Sequence, residues 1–102
     1  MPTYVALLNF TDQGIRTVRD TLDRVEMAAE MAQNHGANMI QLYWTVGPYD
    51  IVLIIEAPDD ESATAFLLEA GSLGNIRSTT LRAYDREEMR GIIERLGSSP
   101  GS

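Results

Sequence analysis

Two segments of this chain are apolar on both of their alternating faces, and that limits the folds open to it more than any other feature. In Thr3–Phe10, Val5 and Leu7 fall on one parity while Tyr4, Ala6, Leu8 and Phe10 fall on the other. In Tyr49–Ala57, the centre Ile51-Val52-Leu53-Ile54-Ile55 is aliphatic without interruption. A strand of this kind needs cover on both sides, so both segments belong in the middle of a sheet. Each is far too short to cross a membrane.

The other strands read differently. Between about Asn38 and Val46, Ile40, Leu42, Trp44 and Val46 share one face and Gln41, Tyr43 and Thr45 the other, the alternation of a half-wet strand. Gly47-Pro48 supplies a tight turn after it. Ile76–Tyr84 carries Arg77, Ser78, Thr79, Thr80 and Arg82, and is polar and β-branched.

Three segments have helical period. Asp12–Asn34 spaces Ile15, Val18, Leu22, Val25, Ala29 and Ala32 at steps of three and four, with a potential restart at Asp20-Thr21-Leu22-Asp23 and a stop at Asn34-His35-Gly36. Pro58-Asp59-Asp60-Glu61 opens a second helix with acids where the macrodipole favours them, and Ala63, Phe66, Leu67 and Ala70 form its stripe. Asp85 caps a last helix, in which Met89, Ile92, Ile93 and Leu96 predict a buried face.

The resulting order is β-α-β-β-α-β plus a C-terminal helix, the ferredoxin-like α+β pattern. Its sheet runs 4-1-3-2, which places the two doubly apolar strands centrally and the two polar ones at the edges. The two main helices cover one face of such a sheet. The aliphatic side chains of the other face then need shelter, since a fully exposed Leu, Ile or Val forfeits about 1.5–3 kcal/mol of burial. A second copy packed face to face is the expected cover, giving a homodimer or higher oligomer. The domain is expected to span residues 1–97, with 98–102 a flexible tail of linker composition.

Chemistry is restricted by what is missing. There is no cysteine and one histidine, which leaves no thiolate or His-rich metal site; no metal and no cofactor are expected. The net charge of −7, from 8 basic and 15 acidic residues, is wrong for a nucleic-acid partner. The opening MPTYVALLNF has no basic region ahead of its apolar stretch, so a cytoplasmic protein without a membrane partner is expected. Gly71-Ser72-Leu73-Gly74-Asn75 follows a helix and precedes a strand, the reverse of a phosphate-cradling loop. Met27, Met31 and Met39 read as core packing. His35 reads as a helix-end cation.

The topology brings Asn9, Trp44, Tyr49, Asp50 and Arg77 to one end of the sheet. An amide, two aromatics, a carboxylate and a guanidinium are groups that hold a small polar ligand. The plainer roles are a turn-bonding Asp50 and packing aromatics. Tyr4, Glu56, Arg82 and Tyr84 fall at the opposite rim.

Tyr43-Trp44-Thr45-Val46-Gly47-Pro48-Tyr49-Asp50 resembles the signature of the GYD domain family of small bacterial and archaeal proteins, with Gly47, Pro48, Tyr49 and Asp50 as its core. Glu56–Glu61, Gly74–Arg77 leading to Thr80–Ala83, and Tyr4–Gly14 are similar to the same family, so the likeness covers nearly the whole chain to about Leu96. The resemblance implies a ferredoxin-like domain with no established general activity, akin to dimeric α+β barrels that include enzymes, sensors and structural proteins. Fold analogy does not choose among these. Two functions are therefore weighed. One is a non-catalytic oligomeric domain that binds a small ligand or a partner protein. The other is a cofactor-independent enzyme of monooxygenase or isomerase type acting on a small aromatic or carbonyl substrate in the cavity between helices and sheet, with Asp50 as base, Asn9 and Arg77 as oxyanion donors, and Trp44 and Tyr49 stacked on the substrate.

Overall fold

A computed structural model describes residues 1–97. Four strands, β1 (Thr3–Phe10), β2 (Asn38–Trp44), β3 (Ile51–Glu56) and β4 (Ile76–Ala83), form one antiparallel sheet in the order β2-β3-β1-β4. This is the expected 4-1-3-2 order read from the other side. The two doubly apolar strands are the central pair, in register Tyr4 with Ile55, Ala6 with Leu53 and Leu8 with Ile51. The tail from residue 98 lies outside the described residues.

Helices α1 (Asp12–Arg16), α2 (Thr21–Asn34) and α3 (Asp60–Ser72) complete the α+β layer, and α4 (Arg86–Glu94) follows β4. The core sits between the sheet and α2 and α3. Tyr4, Ala6, Leu8, Ile51, Leu53 and Ile55 point into it from the central strands. Ala63, Phe66, Leu67 and Ala70 meet them from α3, as their spacing predicted. From α2 the only fully buried residue is Ala32.

Four local expectations are corrected. The restart expected at Asp20-Thr21-Leu22-Asp23 is present, since a 3-10 turn at Val18–Asp20 precedes α2, but the phase resets across it, so Ile15, Val18 and Leu22 of the expected stripe are exposed and the inward line resumes at Val25. A bulge between Met39 and Gln41 shifts the parity of β2: Met39 and Leu42 turn inward and Ile40 stands half in solvent. The strand ends at Trp44, and Val46 is fully exposed in the turn, with Met27 also exposed on α2. The largest correction concerns α4. Its apolar stripe is real, yet Met89 and Ile93 are half exposed and Leu96 is three-quarters exposed. Periodicity shows which face of a helix is apolar; whether the same chain covers that face depends on the direction in which the helix leaves the sheet. Here α4 leaves the domain, tethered at its first turn by Arg82 to Glu88 at 3.6 Å. The radius of gyration is accordingly 16.3 Å, against about 13 Å for a compact 100-residue domain.

The junction between β1 and β4 depends on one residue without a side chain. Gly14, buried in the first turn of α1, lies so close to the start of β4 that an added Cβ would fall 1.9 Å from the carbonyl oxygen of Asn75. The same junction is closed by Thr11 N–H donating to the Asn75 carbonyl at 3.0 Å and by Gln13 Nε2 donating to the Leu73 carbonyl at 3.1 Å and to Asn75 Oδ1 at 3.0 Å. Gly14→Ala forces two backbones apart. It is expected to cost about 3 kcal/mol in urea unfolding, in the upper range for overpacking, whereas Gly91→Ala on exposed α4 is expected to be neutral or slightly stabilising, since nothing lies near a Cβ there.

Candidate functional site

The turn between β2 and β3 occupies residues 45–50 and is built by the signature residues themselves. Gly47 adopts φ 136°, a region that favours glycine. Thr45 N–H donates to the Asp50 carbonyl at 2.8 Å, and its hydroxyl donates to the Tyr49 carbonyl. Asp50 then joins the turn to β1. Its N–H donates to the Leu8 carbonyl, and its carboxylate oxygen Oδ2 accepts the N–H of Phe10, both at 2.8 Å. The amide of Phe10 sits at the very end of β1 and has a charged acceptor in place of a ladder partner.

The register puts all five candidate residues at this end of the sheet, distributed over two faces. Asn9 and Arg77 are direct partners across β1 and β4 on the open face, and both are exposed. Trp44 pairs with Ile51 and turns toward the helices, where its indole N–H donates to Thr21 Oγ1 at 3.1 Å. Tyr49 and Asp50 belong to the turn, and Asp50 is half-buried there. The sheet itself separates Asn9 and Arg77 from the Trp44 side.

At the opposite rim the structure brings together Tyr4, Arg82 and Tyr84, as expected from the topology, and adds Asp60, which the sequence alone does not place there. Tyr4 is 4% exposed, and its hydroxyl donates to Asp60 Oδ1 in the first turn of α3. Arg82, the register partner of Tyr4, lies over the rings of Tyr4 and Tyr84, at 5.6 and 4.4 Å from their centroids. Burial first, and then the bond to the Asp60 carboxylate, push the Tyr4 phenol up to about 12. Asp59, read from sequence as a first-turn acid, is the N-cap of α3: it accepts the Ser62 N–H at 2.8 Å, and its bonds to Ser62 hold its carboxyl below the usual range. Asp60, read from sequence as helix-start electrostatics alone, also anchors Tyr4. His35 reaches Glu69 of α3 at 2.9 Å, which joins the end of α2 to its neighbour.

Between α2, α3 and the sheet lies an open cavity of about 400 Å³. Leu8, Phe10, Leu42, Val25, Ala28 and Ala70 are among its walls. None of the five candidate residues lines it, and Arg24 is the one ionisable side chain among the described residues that does. The described residues hold no group of three potential metal-ligating side chains. No helix is long and apolar enough to cross a membrane.

The GYD domain model matches residues 4–93, which takes in all four strands. The chain belongs to the GYD domain family. A relative from Thermus thermophilus, the glutamine synthetase and cystathionine beta-lyase binding protein, is 32% identical to this GYD domain over 84 residues, covering 81% of this chain and 88% of the relative. Among solved structures, TTHA0845 from the same organism superposes with a TM-score of 0.53 at 25% identity, over 84% of this chain and 100% of that one. MtbAldR superposes with a TM-score of 0.65 at 14% identity, over 83% of this chain; this GYD domain spans about half of its length, and the likeness is one of fold.

Two outcomes test this description. Asp50→Ala leaves the Phe10 amide without its acceptor and is expected to lower stability by about 1–2 kcal/mol in urea unfolding, with a much smaller loss for Asp50→Asn, which keeps an acceptor oxygen. Tyr4 gives a pH dependence at the alkaline end. Its folded pKa of about 12 lies above the ordinary 10, so its contribution is complete below pH 10 and is lost as pH rises from 10 to 12, because the unfolded chain releases the proton first. Denaturation midpoints across that window should fall for the wild type and fall less steeply for Tyr4→Phe.

Proposed function

We propose that this GYD domain is a non-catalytic, cytoplasmic protein-binding module that works as a homo-oligomer, with a second copy packed on its open sheet face. The carrying observation is the composition of that face. Val5, Leu7, Val52 and Ile54 sit side by side on the central strands, half-buried, with Leu81 on β4 and Tyr43 on β2 exposed at their flanks. The protein's own α4 leaves this surface uncovered. A contiguous aliphatic patch bordered by polar edge residues such as Thr79, Gln41 and Arg77 has the composition of an interface.

A protein partner is supported by the relative from Thermus thermophilus, whose name describes a binding protein for two enzymes. The catalytic alternative has less behind it. Its intended base, Asp50, spends one carboxylate oxygen on the Phe10 amide, and the apolar cavity beneath the helices contains no acid or base apart from Arg24 among the described residues.

The test is the molecular mass in solution by light scattering. The wild type is expected at the mass of two or more chains at micromolar concentration. Leu81→Asp, placed at a position already half exposed and therefore tolerant in the subunit, is expected to weaken association by at least tenfold, and Leu81→Asp with Ile54→Asp to give a single chain. A wild type that elutes as one chain removes the assembly. Co-elution of the wild type with glutamine synthetase or cystathionine beta-lyase from its own source tests the partner class.

A further inference from the structure

The cavity between α2, α3 and the sheet is not explained by assembly through the opposite face. Protein interiors pack densely, with few voids larger than a water molecule, and a space of about 400 Å³ falls within the usual range for small-molecule sites. It arises from specific residues. Ala28 of α2 and Ala70 of α3 are the small residues on its wall. Larger side chains, Phe66 and Leu67 of α3 among them, complete the wall without filling the space.

One charge belongs to this space. Arg24 lines the cavity, and its guanidinium donates to Thr17 Oγ1 at 2.6 Å and to the Gly14 carbonyl at 3.2 Å. Gly14 is pressed against Asn75, which lines the cavity too, so the guanidinium lies at the Asn75 end. Both acceptors are neutral. The ion pairs among the described residues are His35 with Glu69, Arg82 with Glu88, and Arg90 with Glu87; Arg24 is in none of them. An acidic chain of net charge −7 therefore keeps a half-buried cation, in no ion pair among the described residues, beside this apolar hollow. A guanidinium fork matches a carboxylate.

We propose that this cavity binds a medium-chain monocarboxylate, with the hydrocarbon lying among Leu8, Phe10, Val25, Ala28 and Ala70 and the carboxylate held by Arg24. Thr21 lies on the cavity wall and accepts the indole N–H of Trp44, the only tryptophan, so occupancy changes the surroundings of a built-in fluorophore.

The test titrates the whole chain with decanoate, below its micelle concentration, and with decanol, following Trp44 fluorescence and calorimetry. Decanoate is expected to bind saturably at one per chain and about tenfold more tightly than decanol, the discrimination typical of one charge-assisted pair. Arg24→Gln is expected to remove that preference while still binding both compounds. Ala28→Phe, which fills the hollow, is expected to abolish binding of both, with circular dichroism showing the fold intact. Equal affinity of the wild type for acid and alcohol overturns the assigned ligand class. The absence of saturable binding, or binding undiminished by Ala28→Phe, overturns the site.

Discussion

β1 is hydrogen-bonded along both of its edges and buried on its helix-facing side, and the remaining elements are placed by their contacts with it. The turn containing Gly47 and Asp50 is attached to its last residues through Leu8 and Phe10. The loop before β4 is held by Thr11, Gln13 and the missing side chain of Gly14, immediately beyond its end. At its start, the Pro2 carbonyl accepts the Ala57 N–H, and Tyr4 reaches the first turn of α3. The four sequence blocks that resemble the GYD family are far apart in the chain. In space they meet at the two ends of this one strand, so they form a single structural unit.

Element order gave the sheet topology, and strand chemistry independently separated its centre from its edges. Two segments with no polar face had to be central, and the segments carrying Gln41, Tyr43, Arg77 and Arg82 had to be the edges. Local irregularities were less legible because a small energetic difference decides them. One extra residue at Met39–Gln41 inverts the parity of β2, and alternation does not locate such a step; the break before α2 was marked by Asp20-Thr21-Leu22-Asp23, but the helical period did not carry the change of phase across it. The fate of α4 is a different kind of omission, since a sequence stripe specifies a need for cover and not its source.

The candidate site divides in the same way. The position of Asp50 beside a Gly-Pro turn made backbone bonding the plain expectation, and the Phe10 amide is its partner. In the Tyr4–Asp60–Arg82 cluster, topology already joins Tyr4 to Arg82, whereas the Asp60 contact depends on how α3 sits against β1, for which no spacing rule exists. A cavity between helices and sheet belonged to the enzyme reading, but its wall was not legible: none of the five candidate residues reaches it. Ala28, read along α2, looks like a good helix former; opposite the sheet it leaves room.

The bulged strand has a further consequence. β2 is an outer strand with free backbone groups along one side, the usual starting point for uncontrolled sheet growth. The irregular step at Met39–Gln41 and the bonded turn at residues 45–50 deny it a long flat border, and on the far side β4 presents arginines and hydroxyl-bearing residues. Lateral propagation into fibrils is thus discouraged at both margins, so the sheet's edges do not compete with its broad surface as sites of contact.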